Sequence, residues 1–267
     1  MKYKMLVLDM DDTLLTDEHQ ISDKNKSLLI QAQELGVYVV LASGRPTPAM
    51  TKYSEILEME RFGSFMLSYN GAVITDLKNK TNIFEQSLSV EDIHLLYEFS
   101  VAHNVAIITY LNDTILASKN SDYLEVEKKI TGMSAKVVSD FKLAVSEPTV
   151  KCIMLEEPSY LKEIEQKLKL AMPHKSVCTS KPFFLEITQN GIDKAASLAR
   201  LATKLNIHQS EIIAVGNANN DLSMVKYAGL GVWVENVHPE LRHHADVIVA
   251  SNNNDGVAEV VERFILN

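Results

Sequence analysis

The chain has 267 residues, with 26 Lys+Arg against 35 Asp+Glu for a formal net charge of −9, and 46% of it is apolar. That length and apolar content are ample for a buried core and exclude a disordered chain. The acidic balance disfavours nucleic acid as a partner, because binding a phosphate backbone needs a basic surface. A small phosphorylated ligand needs only a few local positive groups and stays open.

The run from Met5 to Leu8 is too short for a signal-peptide core, and nothing later approaches the ~20 apolar residues of a membrane span. A cytoplasmic protein with no membrane partner is expected. Cys152 and Cys178 show no metal-type spacing and read as reduced packing residues. Along the chain, Lys4 to Leu8 predicts a strand, and Leu28, Leu29, Ala32 and Leu35 predict a helix that stops at Gly36. Val37 to Ala42 then predicts a second strand. Ser89-Val90-Glu91-Asp92 predicts a capping box for a helix with Ile93, Leu96, Tyr97 and Val101 on one face. Val105 to Thr109 and Thr114 to Ala117 predict a hairpin around Asn112-Asp113. A helix from Pro158, with Leu161, Ile164, Leu168 and Ala171 inward, falls between strands at Val150 to Leu155 and Phe183 to Ile187. After it come a helix marked by Ala195, Leu198, Ala199, Ala202 and Leu205 and strands at Ile212 to Val215 and Leu230 to Val234.

Strand and helix alternate at both ends of the chain, which predicts a parallel, Rossmann-like α/β sheet covered on both faces. Paired strands between helices predict an inserted α+β domain with an antiparallel sheet. The expected division is a discontinuous core of 1–82 and 189–267 around an insert of 83–188.

Asp9-Met10-Asp11-Asp12-Thr13 follows the first strand directly, and in open α/β sheets ligands bind at the carboxyl ends of strands. If the loop stays extended through Asp11, the alternation of side chains puts Asp9 and Asp11 on one side and Asp12 on the other. Two carboxylates that close do not both ionise easily unless a cation intervenes, so one holds a proton or a metal sits between them. An ionised Asp then serves as nucleophile beside a protonated Asp as general acid. The same residues also fit a turn with helix-capping aspartates. No G-x-G-x-x-G follows the first strand and no G-x-x-x-x-G-K-[ST] is present, which argues against dinucleotide binding and a P-loop.

Asp9-Met10-Asp11-Asp12-Thr13-Leu14-Leu15, Ala42-Ser43-Gly44-Arg45, Gly191-Ile192-Asp193-Lys194-Ala195 and Gly216-Asn217-Ala218-Asn219-Asn220-Asp221 occur in that order. Together they resemble the four motifs of the haloacid dehalogenase superfamily, specifically its Cof-like branch of Mg-dependent phosphatases with a large α/β cap inserted mid-chain. Ser68-Tyr69-Asn70-Gly71-Ala72, Leu185-Glu186-Ile187, Ala245-Asp246 and Asp255-Gly256-Val257-Ala258 support it, so the resemblance spans essentially the whole chain.

The resemblance implies that Asp9 attacks phosphorus to form an aspartyl phosphate, while Asp11 protonates the leaving oxygen and then deprotonates water. It implies phosphate or substrate contacts from Ser43, Gly44, Arg45, Lys194 and Asn220. It also implies Mg2+ held by Asp9, the Asp11 carbonyl, Asn217 and Asp221, with octahedral oxygen coordination suited to phosphoryl transfer. The fourth motif departs from the family pattern: Asn217 stands where the usual residue is Asp, and an amide oxygen brings no negative charge, so metal affinity should fall. Trp233 and Glu235 stand where relatives have small residues and glycine. His238, His243 and His244 read as a solvated helix face, and Asn252 to Gly256 as a loop and cap.

The expected substrate is a small phosphorylated metabolite, a sugar phosphate in the first instance, acted on by a monomer or weak homo-oligomer with the insert as a lid. A phosphomutase of the phosphomannomutase type and a catalytically weak phospho-ligand binder are the alternatives. Nothing in 83–188 names the substrate; Lys181-Pro182-Phe183 lies near the return to the core.

Overall fold

A computed structural model describes residues 2–111 and 113–267. The chain begins with β1 (Met5–Leu8), α1 (Asp23–Glu34), β2 (Tyr38–Ala42), α2 (Thr47–Ile56), α3 (Met59–Phe62), β3 (Phe65–Ser68), β4 (Val73–Asp76) and β5 (Thr81–Glu85). It continues through α4 (Val90–Ala102), β6 (Ala106–Leu111), β7 (Thr114–Ala117), α5 (Asp122–Thr131), β8 (Ser134–Val137), α6 (Phe141–Ala144), β9 (Lys151–Leu155), α7 (Pro158–Ala171), β10 (Lys175–Lys181) and β11 (Phe184–Gln189). It closes with α8 (Lys194–Leu205), β12 (Ile212–Gly216), α9 (Leu222–Tyr227), β13 (Leu230–Val234), β14 (Val247–Val249) and α10 (Gly256–Phe264).

Two compact units result: Met1–Phe84 with Asp193–Asn267, and Glu85–Ile192. The changeovers at 84/85 and 192/193 stand against the 82/83 and 188/189 expected, because β5 and β11 run on through those positions.

In the first unit the sheet order is β14-β13-β12-β1-β2-β3-β4-β5. The pairs from β14 to β3 are parallel and β4 returns antiparallel to β3. β1 is buried along its whole length, which is why it reads as a continuous apolar run instead of an alternating one. Its residues divide between the two faces: Leu6 and Leu8 pack with Leu29 and Ala32 of α1 and with Val257, Val260 and Val261 of α10. Met5 and Val7 pack with Leu198, Leu201 and Ala202 of α8 and with Met224 of α9. Trp233 is fully buried in β13, its indole N–H donating to Leu241 O at 2.8 Å, so its bulk fills the core.

The second unit is a six-stranded sheet, β10-β11-β9-β6-β7-β8. It is antiparallel except that β8 runs parallel to β7, a departure from the purely antiparallel expectation that arises because α5 connects the two as a crossover. The capping box at Ser89 is present in both directions. α4 and α7 bury Ile93, Leu96, Leu161, Ile164 and Leu168 against Ile107, Met154 and Leu185. The β6–β7 hairpin is present, and Asn112 of its expected turn lies outside the described residues.

Leu35, Val101 and Ala171 were expected inside and are exposed. Each lies in the last turn of its helix or just past it, where the apolar stripe has already run beyond the core. Both cysteines are free: Cys152 is buried in β9, where burial pushes its thiol up to about 12, and Cys178 is exposed in β10, so only Cys152 packs.

The other face of this sheet carries a buried polar cluster. Tyr110 donates its hydroxyl to Glu127, and Lys151 pairs with Glu186 at 3.1 Å. Burial raises the Glu127 carboxyl above its ordinary 4.5, against the pull of Lys151 and the Tyr110 hydrogen bond. A raised carboxyl costs stability at pH values above its unfolded value and costs nothing below it. Glu127→Gln keeps an acceptor for Tyr110 and removes the charge, so the variant is expected to melt above the native protein at pH 8, with the gain vanishing as pH falls through 4.5. A melting difference independent of pH in thermal scans would overturn this.

Candidate active site

β1 delivers Asp9 at the carboxyl edge of the sheet, between β2 on one side and β12 on the other. That is the topological switch point at which open α/β sheets form crevices. Beyond Asp9 the loop coils instead of staying extended as expected: Leu15 N–H donates to Met10 O at 2.9 Å, and Asp12 takes a left-handed backbone (φ 58°, ψ 14°). Coiling separates the two carboxylates by partner. Asp9 faces Lys194 while Asp11 faces Arg45.

Lys194 is placed by the start of α8, where Asp193 caps the helix by accepting from Ala195 N at 2.7 Å and Ala196 N at 3.1 Å. Its fully buried ammonium donates to Asp9 Oδ1 and Asp221 Oδ1, both at 2.7 Å, and to Ala42 O at 2.8 Å. Three oxygens around one ammonium exhaust its donors. Asp221 spends its other oxygen on the backbone N–H groups of Asn217 and Ala218, both at 3.0 Å. Gly216 permits this, since a Cβ there would stand 2.5 Å from the Asp221 Cβ.

Ser43 is buried after β2, with its N–H on Leu67 O and its Oγ accepting from Arg45 N at 3.2 Å. Among the described residues the hydroxyl proton of Ser43 and the Gly44 N–H have no hydrogen-bond acceptor. Arg45 was expected on substrate; its guanidinium instead grips Asp11 bidentately, Nε to Oδ2 at 2.8 Å and Nη2 to Oδ1 at 2.5 Å, and lies over the Tyr53 ring. Asn220 is exposed and donates to Asn70 Oδ1 at 3.3 Å. Asn217 Oδ1 accepts from Thr13 Oγ1 at 3.1 Å.

Asn70 and Thr13 are the site neighbours that sequence reasoning did not single out. Asn70 sits at φ 57° between the left-handed Tyr69 and Gly71, with its amide against Gly44, and its backbone N–H donates to Ser43 O. A polar turn directly after a sheet strand was the available signal. Of the histidines, His19 places Nδ1 3.6 Å from Asp11 Oδ1, and among the described residues no group of three or more His, Cys, Asp or Glu is arranged to hold a metal.

Charge in the site is set by burial and pairing. Burial, then the neighbouring Asp221 charge, pushes Asp9 up to about 7 despite the opposing pull of Lys194. Asp11 also feels burial, but the Arg45 hydrogen bonds and charge outweigh it and hold the carboxyl below its ordinary value. Lys194 is raised: burial alone would lower it, and Asp221 and Asp9 more than reverse that. Burial and the Asp221 charge thus make Asp9 the more basic of the two carboxylates, and Arg45 makes Asp11 the more acidic.

The donor set for a metal consists of hard oxygens. Asp9 Oδ2 has no hydrogen-bond partner among the described residues, and the Asn217 amide oxygen keeps a lone pair beyond its Thr13 bond. Such donors suit a small divalent cation that retains waters. Both oxygens of Asp221 are already committed.

A family model of haloacid dehalogenase-like hydrolases matches residues 6–261. The 5-amino-6-(5-phospho-D-ribitylamino)uracil phosphatase YcsE of Bacillus subtilis is 30% identical, with 98% of this chain and 96% of that protein covered. The phosphatase YwpJ of the same organism is 28% identical over 98% and 100%. A haloacid dehalogenase-like hydrolase from Bacteroides thetaiotaomicron, solved by crystallography, superposes with a TM-score of 0.96 at 37% identity, over 99% of this chain and all of that one. On these matches the chain, which gathers Asp9, Ser43, Lys194 and Asp221 at one sheet edge, belongs to the haloacid dehalogenase-like hydrolases and is a phosphoric monoester hydrolase.

Proposed function

We propose that the enzyme hydrolyses the phosphate ester of a small sugar or polyol with the help of Mg2+, through an aspartyl phosphate on Asp9. The observation that carries this reading is the Asp9 carboxylate itself: one oxygen is oriented by Lys194 and the other, like the nearby Ser43 hydroxyl proton and Gly44 N–H, has no partner among the described residues. The named substrate of the YcsE relative is a phosphorylated ribityl compound, which supports a polyol phosphate here.

In the proposed reaction one carboxylate oxygen of Asp9 forms a bond to phosphorus while the other stays with the metal, and as the ester oxygen departs Asp11, protonated from solvent once Arg45 lets it go, gives that oxygen a proton. Asp11 then takes a proton from water, whose oxygen attacks phosphorus and returns the Asp9 carboxylate with release of inorganic phosphate. Ser43 and Gly44 orient the phosphoryl oxygens, and the Lys194 charge helps to offset theirs. Arg45 releases Asp11 for the acid step, and the substrate phosphate, an anion competing for the same guanidinium, favours that release. Bound Mg2+ would neutralise non-bridging oxygens; Asp9, the Asp11 carbonyl and Asn217 would hold it, with Asp221 as the residue that shapes the loop and steadies Lys194.

Since Asn217 supplies no charge, Asn217→Asp is expected to lower the half-saturating Mg2+ concentration on the order of tenfold, read by calorimetric Mg2+ titration and by phosphate release from a panel of sugar and polyol phosphates. No turnover by either protein at saturating Mg2+ would sink the proposal, and thermal stabilisation by phosphorylated compounds without turnover would favour a binding protein.

A further inference from the structure

The turn that carries Asp11 has little to hold it within its own sequence. Asp12 has a left-handed backbone, which costs any residue with a Cβ free energy and persists only where the surroundings overdetermine it. Two asparagines more than 200 positions along the chain supply the missing constraint. Asn236, just past β13, donates Nδ2 to Asp12 O at 2.7 Å. Asn252, almost wholly buried, donates Nδ2 to Leu15 O and Asp17 Oδ1, both at 3.1 Å. The two are linked to each other, because Asn252 N–H donates to Asn236 Oδ1 at 3.1 Å. One amide thus grips the carbonyl of the left-handed residue, and the other grips the residue whose N–H closes the turn on Met10.

We infer that Asn236 and Asn252 are positioning residues that hold the Asp11 turn in register with Asp9. The inference rests on the reading of Asp9 as nucleophile and Asp11 as acid. Asn236 uses both ends of its carboxamide, accepting from one loop and donating to the other, a combination that an ionised carboxylate cannot reproduce because it only accepts. Asn236 is exposed, so its loss removes a constraint on the loop without opening a core cavity.

The test compares p-nitrophenyl phosphate with phenyl phosphate, whose leaving group is the more basic and depends more on protonation. For Asn236→Ala and Asn236→Asp at pH 8 and saturating Mg2+, kcat on phenyl phosphate is expected to fall roughly tenfold or more, the range in which a displaced general acid acts. The fall on p-nitrophenyl phosphate should be several times smaller, with KM and melting temperature near native. Asn252→Ala should show the same leaving-group dependence with a lower melting temperature. Equal losses on both substrates, or native kcat in Asn236→Asp, overturn the positioning role. Asp9→Asn run in parallel separates the two ideas: if it abolishes turnover while the Asn236 variants stay native, only this inference fails, and if it stays active, the nucleophile reading fails and takes the inference with it.

Discussion

Asp9→Asn is expected to abolish phosphate release, by roughly four orders of magnitude or more as for other enzymes deprived of their nucleophile, while the protein stays folded and, in EDTA at pH 8, melts above the native form. The activity loss follows because an amide oxygen is a far weaker nucleophile than a carboxylate, and the carboxylates of Asp11 and Asp221 beside it are already engaged. Asp11 is tied to Arg45, and both oxygens of Asp221 are occupied. The stability gain follows from the raised Asp9 carboxyl. Its folded value of about 7 lies above its ordinary 3.8, so the native state prefers the protonated form. Its ionisation costs stability that is absent below 3.8, grows as pH rises toward 7 and is fully present above. Asn217 and its neighbours need no change for this, and Lys194 keeps Asp221 and Ala42 O as partners. Phosphate-release assays together with melting curves at pH 4 and pH 8 check both halves. Turnover within tenfold of native would remove Asp9 from the nucleophile role, and a melting difference that does not grow with pH would show that the carboxyl is not strained in the way its burial implies.

Lys194→Met should be the most destabilising single change at the site. The ammonium is the common partner of two carboxylates that are 5% and 0% exposed, and removing one member of a buried ionic group typically costs about 3–5 kcal/mol, because the remaining charge is left without water or a counterion. The methionine chain refills most of the volume, so the loss measured is electrostatic and not that of a cavity. Proton uptake by Asp9, whose carboxyl burial already pushes up, relieves the repulsion, so the melting deficit should be largest at pH 8 and shrink in acid. Lys194→Arg is expected to rescue little: three oxygens converge on one nitrogen at 2.7–2.8 Å, a point-charge geometry that a planar guanidinium does not match. Chemical denaturation of the three proteins at two pH values decides the matter, and a native midpoint for Lys194→Met would refute the shared-counterion account.

The legible parts of the site were those in which local pattern and local structure coincide. β1 is an unbroken apolar run followed at once by carboxylates, so Asp9 at the end of a sheet strand could be read directly. Asp193-Lys194 opens α8 with a cap, which placed the lysine on the first turn. Arg45 was identified as a site residue but its partner was not, because the choice between a substrate phosphate and Asp11 depends on two loops from different strands meeting. Asp221 shows the same limit: the resemblance named it as a metal ligand, and only the fold shows that its oxygens also accept from Lys194 and from backbone amides. Helical period assigns Leu35 and Val101 inward, and at the ends of their helices that stripe has already run past the core.

Sequence alone determined the class of fold and the order of the four motifs, because apolar periodicity, caps and carboxylates after a strand are set within a few residues of chain. Tertiary structure decided which charges meet. It gave Lys194 to Asp9 and Asp221, gave Arg45 to Asp11, and brought Asn236 and Asn252 across more than 200 residues to the Asp12 and Leu15 carbonyls. Those pairings depend on distance and desolvation, which the linear spacing of residues does not encode.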